Sequence, residues 1–181
     1  LEEARKIAEN LDRMNKERQS LGSLIQEEAF KGLDESIVEA SKLLFLEGDG
    51  WHPGVIGIVA SQLVERFYRP TILVGINDGI GRGSARSING LNIFEFLDSC
   101  RDLYLDFGGH SGAAGFEIQP ENIGELKRRL KEEADLLITP EDLVPKIKID
   151  FLLSPQNITM EFLKELELLE PHGEGNPKPI F

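Results

Sequence analysis

Eight consecutive residues, Gly108-Gly109-His110-Ser111-Gly112-Ala113-Ala114-Gly115, set one imidazole and one hydroxyl among four glycines and two alanines. Side chains this small let a ligand reach the main chain, and successive exposed N–H groups form a concavity that suits an anion. In that setting His110 can donate a hydrogen bond to a phosphate oxygen, with Gly108 and Gly109 leaving room for the approach. A tight turn whose glycines serve packing has the same composition, and spacing alone does not separate the two readings.

A second segment reads Arg82-Gly83-Ser84-Ala85-Arg86-Ser87. On a strand, alternate side chains share a face, so Arg82, Ser84 and Arg86 point one way and Gly83, Ala85 and Ser87 the other. Two guanidiniums flanking a hydroxyl make a phosphate clamp; an ordinary exposed edge strand is the plainer reading. A third, His52-Pro53-Gly54, opens a helix, where free N–H groups and the helix dipole favour an anion. His52 either helps to bind phosphate or caps that helix. Gly57 and Ala60 on the same helix point to close packing against a neighbour.

Metal-dependent phosphodiester hydrolysis needs several Asp, His or Glu ligands converging on one or two ions. The chain has three histidines, His52, His110 and His172, and no Asp/His cluster with metal-ligand spacing. Asp106, four residues before His110, reads as a strand-end carboxylate. A phosphate-binding P-loop, a Gly-x-Ser-x-Gly elbow and a cysteine with a catalytic partner are also missing. Cys100 lies in an apolar-periodic stretch and reads as a buried, inert thiol. The sequence offers binding groups without a catalytic centre, and no metal ligands of its own.

The elements that must position these groups follow from periodicity. Leu1, Ala4, Ile7, Ala8, Leu11 and Met14 recur at helical steps, so residues 1–19 read as a charged connector helix with a narrow apolar stripe, and 23–30 as a second helix. A further helical turn is expected over 36–40. Leu43 to Leu46 is a strand candidate, Pro53 to Phe67 a helix, and Thr71 to Ile76 the next strand; strand, helix, strand is the signal of a parallel unit. Residues 79–87 read as a turn running into a short strand, and 93–100 as a short helix. The strand expected over 103–107 is interrupted by Gly108-Gly109-His110, and an extended segment over 113–118 precedes an amphipathic helix over 121–137. Past Pro140, residues 146–152 alternate like a half-exposed strand and 157–169 are helical. The chain ends on Ile180-Phe181 where a strand is expected to begin, as though cut inside a further domain.

The net charge of −12 argues at first against nucleic acid, because phosphate binding depends on neutralising cations. The acidity lies in the flanks. Residues 51–115 carry five cations against six anions, and all five are arginines: Arg66, Arg69, Arg82, Arg86 and Arg101. Arginine grips phosphate through a planar fork, so the bias favours a few placed contacts over a diffuse basic surface. No window approaches eighteen apolar residues and no charged-then-apolar leader is visible, so the expectation is a soluble, cytoplasmic protein with no membrane contact.

Five segments, taken in order, carry a resemblance: Leu11 to Gln19, Trp51 to Ala60, Gly83-Ser84-Ala85-Arg86-Ser87-Ile88, Phe107 to Gly115, and Pro171 to Phe181. Together they resemble the RecJ exonucleases of the DHH phosphoesterase superfamily, whose late motif begins Pro-Phe-Gly where this chain has Pro171-His172-Gly173. The resemblance implies an α/β fold: a connector helix region over 1–38, then a DHH-associated substrate-binding domain over 39–142 with a mixed, mainly parallel sheet flanked by helices. The beginning of an OB-fold domain then follows over 143–181. It implies 5′-to-3′ hydrolysis of single-stranded DNA in repair and recombination, with Mn²⁺ or Mg²⁺ held by an N-terminal DHH domain that this sequence lacks. Ser84, Arg86, Ser87, Gly108, Gly109 and His110 would then contact phosphates, with Arg82 and His52 as further contacts. Single-stranded DNA is the implied partner, and single-strand-binding protein a second one. Two other readings share these segments: a DHH-family phosphodiesterase of short oligonucleotides or cyclic dinucleotides, and a non-catalytic binding module like the C-terminal domain of alanyl-tRNA synthetase. The tail from Lys146 to Phe181 speaks against the first, because those smaller enzymes end soon after the associated domain, and the second leaves the connector helix and the tail from Pro171 to Phe181 unexplained.

Overall fold

From Glu2 to Lys31 the chain has no proline and one glycine, Gly22, and a glycine inside a helix costs only about 1 kcal/mol. In the computed structural model, which describes residues 1–31 and 33–181, this stretch is a single helix, α1 (Glu2–Lys31), and not the two expected. Ion pairs at four-residue spacing, Arg5–Glu9, Lys16–Asp12 and Arg13–Glu17, run along its exposed part. Each adds a few tenths of a kcal/mol, about 0.2–0.5. Only its end is buried, through Ile25 and Ala29. The short α2 (Glu35–Ala40) follows, its first turn capped by the Asp34 carboxylate, which accepts from Ile37 N–H at 2.8 Å.

Five strands form one sheet in the order β1-β2-β3-β5-β4. β1 (Leu44–Asp49) and β2 (Thr71–Asn77) are parallel, joined by α3 (Pro53–Phe67). Every other pairing is antiparallel: β2 with β3 (Ile80–Arg86), β3 with β5 (Ala113–Ile118), and β5 with β4 (Tyr104–His110). The sheet is therefore mixed, as expected, but its parallel share is one pair. The reason lies in the connections. Asp78 and Gly79 both take positive φ, 52° and 75°, the two-residue turn that folds a chain straight back on itself. Ser111 and Gly112 join β4 to β5 as tightly.

The alternation expected for residues 82–87 is present in β3 and repeated in β5, where buried residues alternate with half-buried ones. Ala85, Ala114, Phe116 and Ile118 turn to one face, into a core closed by α4 (Ile93–Asp98) and α5 (Ile123–Leu137). Ile123, Leu126, Leu130 and Ala134 recur at helical spacing on the buried side of α5. Full burial of each leucine contributes about 1.5–3 kcal/mol. Cys100 is buried in this core. The opposite face packs Leu73 against α3 and the end of α1, with Trp51 at the centre. Gly48 and Gly75, register partners on β1 and β2, make the room: a Cβ on Gly48 would lie 2.2 Å from Trp51 Cε2, and one on Gly75 2.1 Å from the Trp51 carbonyl oxygen.

Residues 145–181 form a separate compact unit. It contains α6 (Met160–Glu167), capped by Thr159 Oγ1, which accepts from Phe162 N–H at 3.1 Å. The strand expected over 146–152 is absent. Its alternation is real, but a strand needs a hydrogen-bonded neighbour, and this segment is fixed mainly at Asp150, whose N–H donates to the Ile180 carbonyl at 2.8 Å. The Asp150 carboxylate accepts from Ile180 N–H in return, at 2.9 Å.

Candidate nucleic-acid interface

Register fixes which residues share the α3-side face of the sheet, because paired residues on neighbouring strands point the same way. Arg86 pairs with Ala113, and Ala113 pairs with His110. One step along, Ser84 pairs with Gly115, and Gly115 with Gly108. The next row is Arg82, Glu117 and Asp106. Two strand spacings, about 10 Å, thus separate the Arg86 and His110 backbones. Between them lies a floor of Ala113, Gly115 and Gly108, with no side chain larger than a methyl. Helix α3 packs on β2 and β3, and Gly108, Gly109 and His110 are exposed.

Gly108-Gly109-His110 does not interrupt a strand; it is the last part of β4, an edge strand, and the turn comes after it. Gly109 is needed for the backbone: its φ is 153°, and a Cβ there would lie 2.5 Å from the Ala113 oxygen and 2.5 Å from Ala114 Cα. Gly108 is different. A Cβ there would meet nothing within 4 Å, so its smallness leaves open space on the face it shares with Ser84. His110 Nδ1 accepts from Gly112 N–H at 3.2 Å, which in a neutral ring puts the proton on Nε2 and makes that outer nitrogen a donor. His52 is arranged alike: its Nδ1 caps α3 by accepting from Gly54 N–H at 3.1 Å.

Arg86 is half-buried, and its Nη1 donates to Ser84 Oγ at 3.0 Å and to the Ala85 carbonyl at 2.8 Å. Burial lowers its pKa from the ordinary value, but an arginine starts so high that it stays charged at neutral pH. The guanidinium rests in a notch on α3. A Cβ on Gly57 would lie 2.6 Å from Arg86 Nη2 and 2.9 Å from Ser84 Oγ. The neighbour that Gly57 packs against is therefore this pair.

The remaining candidates are engaged elsewhere. Arg82 Nε is 2.8 Å from Glu117 Oε1, so part of its charge is already matched. Ser87 has one hydroxyl proton and directs it to main-chain carbonyls, the Leu91 oxygen at 2.6 Å and the Ile88 oxygen at 3.2 Å. Asp106 accepts from Phe107 N–H beside a register shift in β4. Two residues that shape the face were not named as contacts from the sequence. Glu117 left no local signal, since its role depends on pairing across to Arg82. Gly115 was visible only as part of a glycine-rich run.

Among the described residues, no three His, Cys, Asp or Glu side chains gather into a group able to hold a metal ion. Those described residues offer no ligand set for a resident divalent cation. No helix among them is long and apolar enough to cross a membrane.

Residues 40–135 match the DHHA1 domain, and residues 149–181 match the RecJ OB domain. The chain is 45% identical to the single-stranded-DNA-specific exonuclease RecJ of Bacillus subtilis, over 98% of its own length and 23% of that protein. Against the RecJ of Thermus thermophilus the figures are 38%, 99% and 25%. A crystal structure of the Thermus thermophilus RecJ in complex with Mg²⁺ matches with a TM-score of 0.80 at 35% identity, covering 95% of this chain and 26% of that one. The chain thus spans about a quarter of the length of these relatives. It belongs to the DHHA1 domain family, in the form in which a RecJ OB domain follows, as in the RecJ exonucleases.

Proposed function

We propose that this chain is the substrate-gripping portion of a RecJ-type exonuclease that degrades single-stranded DNA from the 5′ end during repair and recombination in the cytoplasm. The observation that carries the reading is the pair of rows Arg86-Ala113-His110 and Ser84-Gly115-Gly108 on the α3-side face of the sheet. A charged fork and a hydroxyl stand at one side and an outward N–H donor at the other, over a floor that a sugar-phosphate chain can approach closely. Arg86 and Ser84 hold one phosphate, and His110 Nε2 with the main chain at Gly108 and Gly109 holds its neighbour. Arg82, Ser87 and His52 border this track, Ser87 by fixing the loop after β3 and His52 by fixing the start of α3.

Hydrolysis belongs to a separate DHH domain carrying Mn²⁺ or Mg²⁺, and the residues here supply grip and orientation only. Solved relatives in complex with Mg²⁺ and with Mn²⁺ support the choice of metals. The OB-domain match over 149–181 favours this reading over the shorter oligonucleotide and cyclic-dinucleotide phosphodiesterases. Single-strand-binding protein is the proposed protein partner.

Arg86→Ala tests the reading in a longer protein that carries this chain behind a DHH domain. Loss of a charge-assisted contact worth about 1.5–3 kcal/mol weakens single-strand binding roughly tenfold or more, and the slope of log affinity against log salt falls by about 0.7. Unchanged affinity across the salt titration overturns the assignment. The 181-residue chain alone, given Mn²⁺, is expected to show no nuclease activity.

A further inference from the structure

The chain leaves β3 at Arg86 and leaves β4 at His110, and the two departing segments face each other across a cleft of about 370 Å³. Its walls are the 87–92 loop on one side and Ser111 and Gly112 on the other. The volume is that of a small-molecule site, about 300–1,000 Å³. The cleft is braced: Ser87 N–H donates to the Gly112 carbonyl at 3.1 Å and Ile93 N–H to the Ser111 carbonyl at 2.9 Å, joining the two walls. Within the loop, the Ser87 hydroxyl holds the Leu91 carbonyl at 2.6 Å. Gly90, with φ of 94°, lets the loop turn.

The lining differs in kind from the adjoining face of the sheet. No lysine, arginine, aspartate or glutamate contributes to it; the polar side chains are Asn89, Asn92, Ser87 and Ser111. Asn92 Oδ1 accepts from Phe94 N–H at 3.2 Å, which leaves its NH₂ free to donate. Asn89 and Ser111 are exposed. Neutral donors and acceptors in a preformed cleft suit the edge of an uncharged heterocycle, whereas a phosphate would find no cation there.

We infer that this cleft takes the nucleobase of the nucleotide that lies between the phosphate held by Arg86 and the neighbouring phosphate held by His110. The inference rests on the phosphate-grip reading above and adds to it: the grip then distinguishes a strand with bases from a bare sugar-phosphate backbone.

The test compares affinities of the 181-residue chain for two probes of equal length, a mixed-sequence oligodeoxynucleotide and a fully abasic one. The unmodified chain is expected to prefer the probe with bases. Asn89→Leu, which fills the cleft from an exposed position, reduces that preference about fivefold, the worth of one neutral hydrogen bond. Ser111→Ala reduces it in the same direction and guards against a folding artefact in the first variant. Arg86→Ala weakens both probes in parallel. If Arg86→Ala weakens both while neither cleft variant changes the preference, or the unmodified chain shows none, the base site is wrong and the phosphate grip stands. If Arg86→Ala changes neither affinity, the grip fails and the base site falls with it.

Discussion

Gly57 of α3 lies directly against the Arg86 guanidinium, so that a Cβ on Gly57 would stand 2.6 Å from Arg86 Nη2. The atoms in the way, Nη2 and Ser84 Oγ, are the tips of side chains that can turn aside. Gly57→Ala should therefore fold well, and removing a helix-interior glycine should even add about 0.5–1 kcal/mol. Binding should suffer instead, because Arg86 and Ser84 lose their places together. Denaturant unfolding and single-strand affinity measured on the same variant separate the two effects. Undiminished affinity would show that the notch does not hold Arg86.

The two adjacent glycines of β4 make opposite predictions. Gly109→Ala forces a methyl group into the Ala113 and Ala114 backbone at a φ that side chains rarely adopt. A loss of about 2 kcal/mol or more is expected. Gly108→Ala adds a methyl group to open space, so stability should stay within about 0.5 kcal/mol, while DNA affinity falls as the floor across Gly115 from Ser84 rises. Comparable unfolding midpoints for the two variants would contradict the distinction.

Much of this fold is written in local patterns. Pro53 and Pro70 bracket α3, and the alternation of residues 82–87 places Ser84 and Arg86 on one face before any tertiary contact is known. Strand direction was harder. The order β1, α3, β2 announces a parallel pair, but the antiparallel remainder depends on Asp78-Gly79 and Ser111-Gly112 acting as hairpin turns. Glycine at 108 and 109 looked like a break and is a strand, because an exposed edge tolerates glycines that a turn would also use. The Arg86-Ala113-His110 row was not legible, since it needs the registers of two strand pairs at once. For the same reason the sequence could not show that Glu117 engages Arg82 or that Ser87 closes its own loop.

Acid should reveal a different part of the molecule. Glu125 on α5 is hydrogen-bonded by Arg128 and Arg129, which hold its pKa down at about 2 from an ordinary 4.5. Arg129 also reaches Asp102, at 3.1 Å, tying α5 to the turn before β4. A carboxylate with a depressed folded pKa contributes stability that is full above 4.5 and is lost as the pH falls towards about 2. The carboxylate is half-buried and open to solvent on one side, so the effect should shrink in high salt. In low salt, Glu125→Gln should flatten the fall of the unfolding midpoint across that window; an unaltered acid profile would mean that the cluster contributes nothing.

If the proposed grip is right, the ion pair between Arg82 and Glu117 limits it, and removing that pair should strengthen binding. Both side chains are about 40% exposed, so their mutual attraction is worth at most about 1 kcal/mol of stability. Glu117→Gln should leave the fold intact while doing two things to the face beside Ser84. It releases Arg82 for a phosphate, and it removes a carboxylate that would repel one. Single-strand affinity should rise, and the slope of log affinity against log salt should steepen by about 0.7, the signature of one more neutralised phosphate. A rise without the steeper slope would mean that only repulsion was relieved. Unchanged or weaker binding would place the DNA track away from this row, confining it to the Arg86 and Ser84 rows alone.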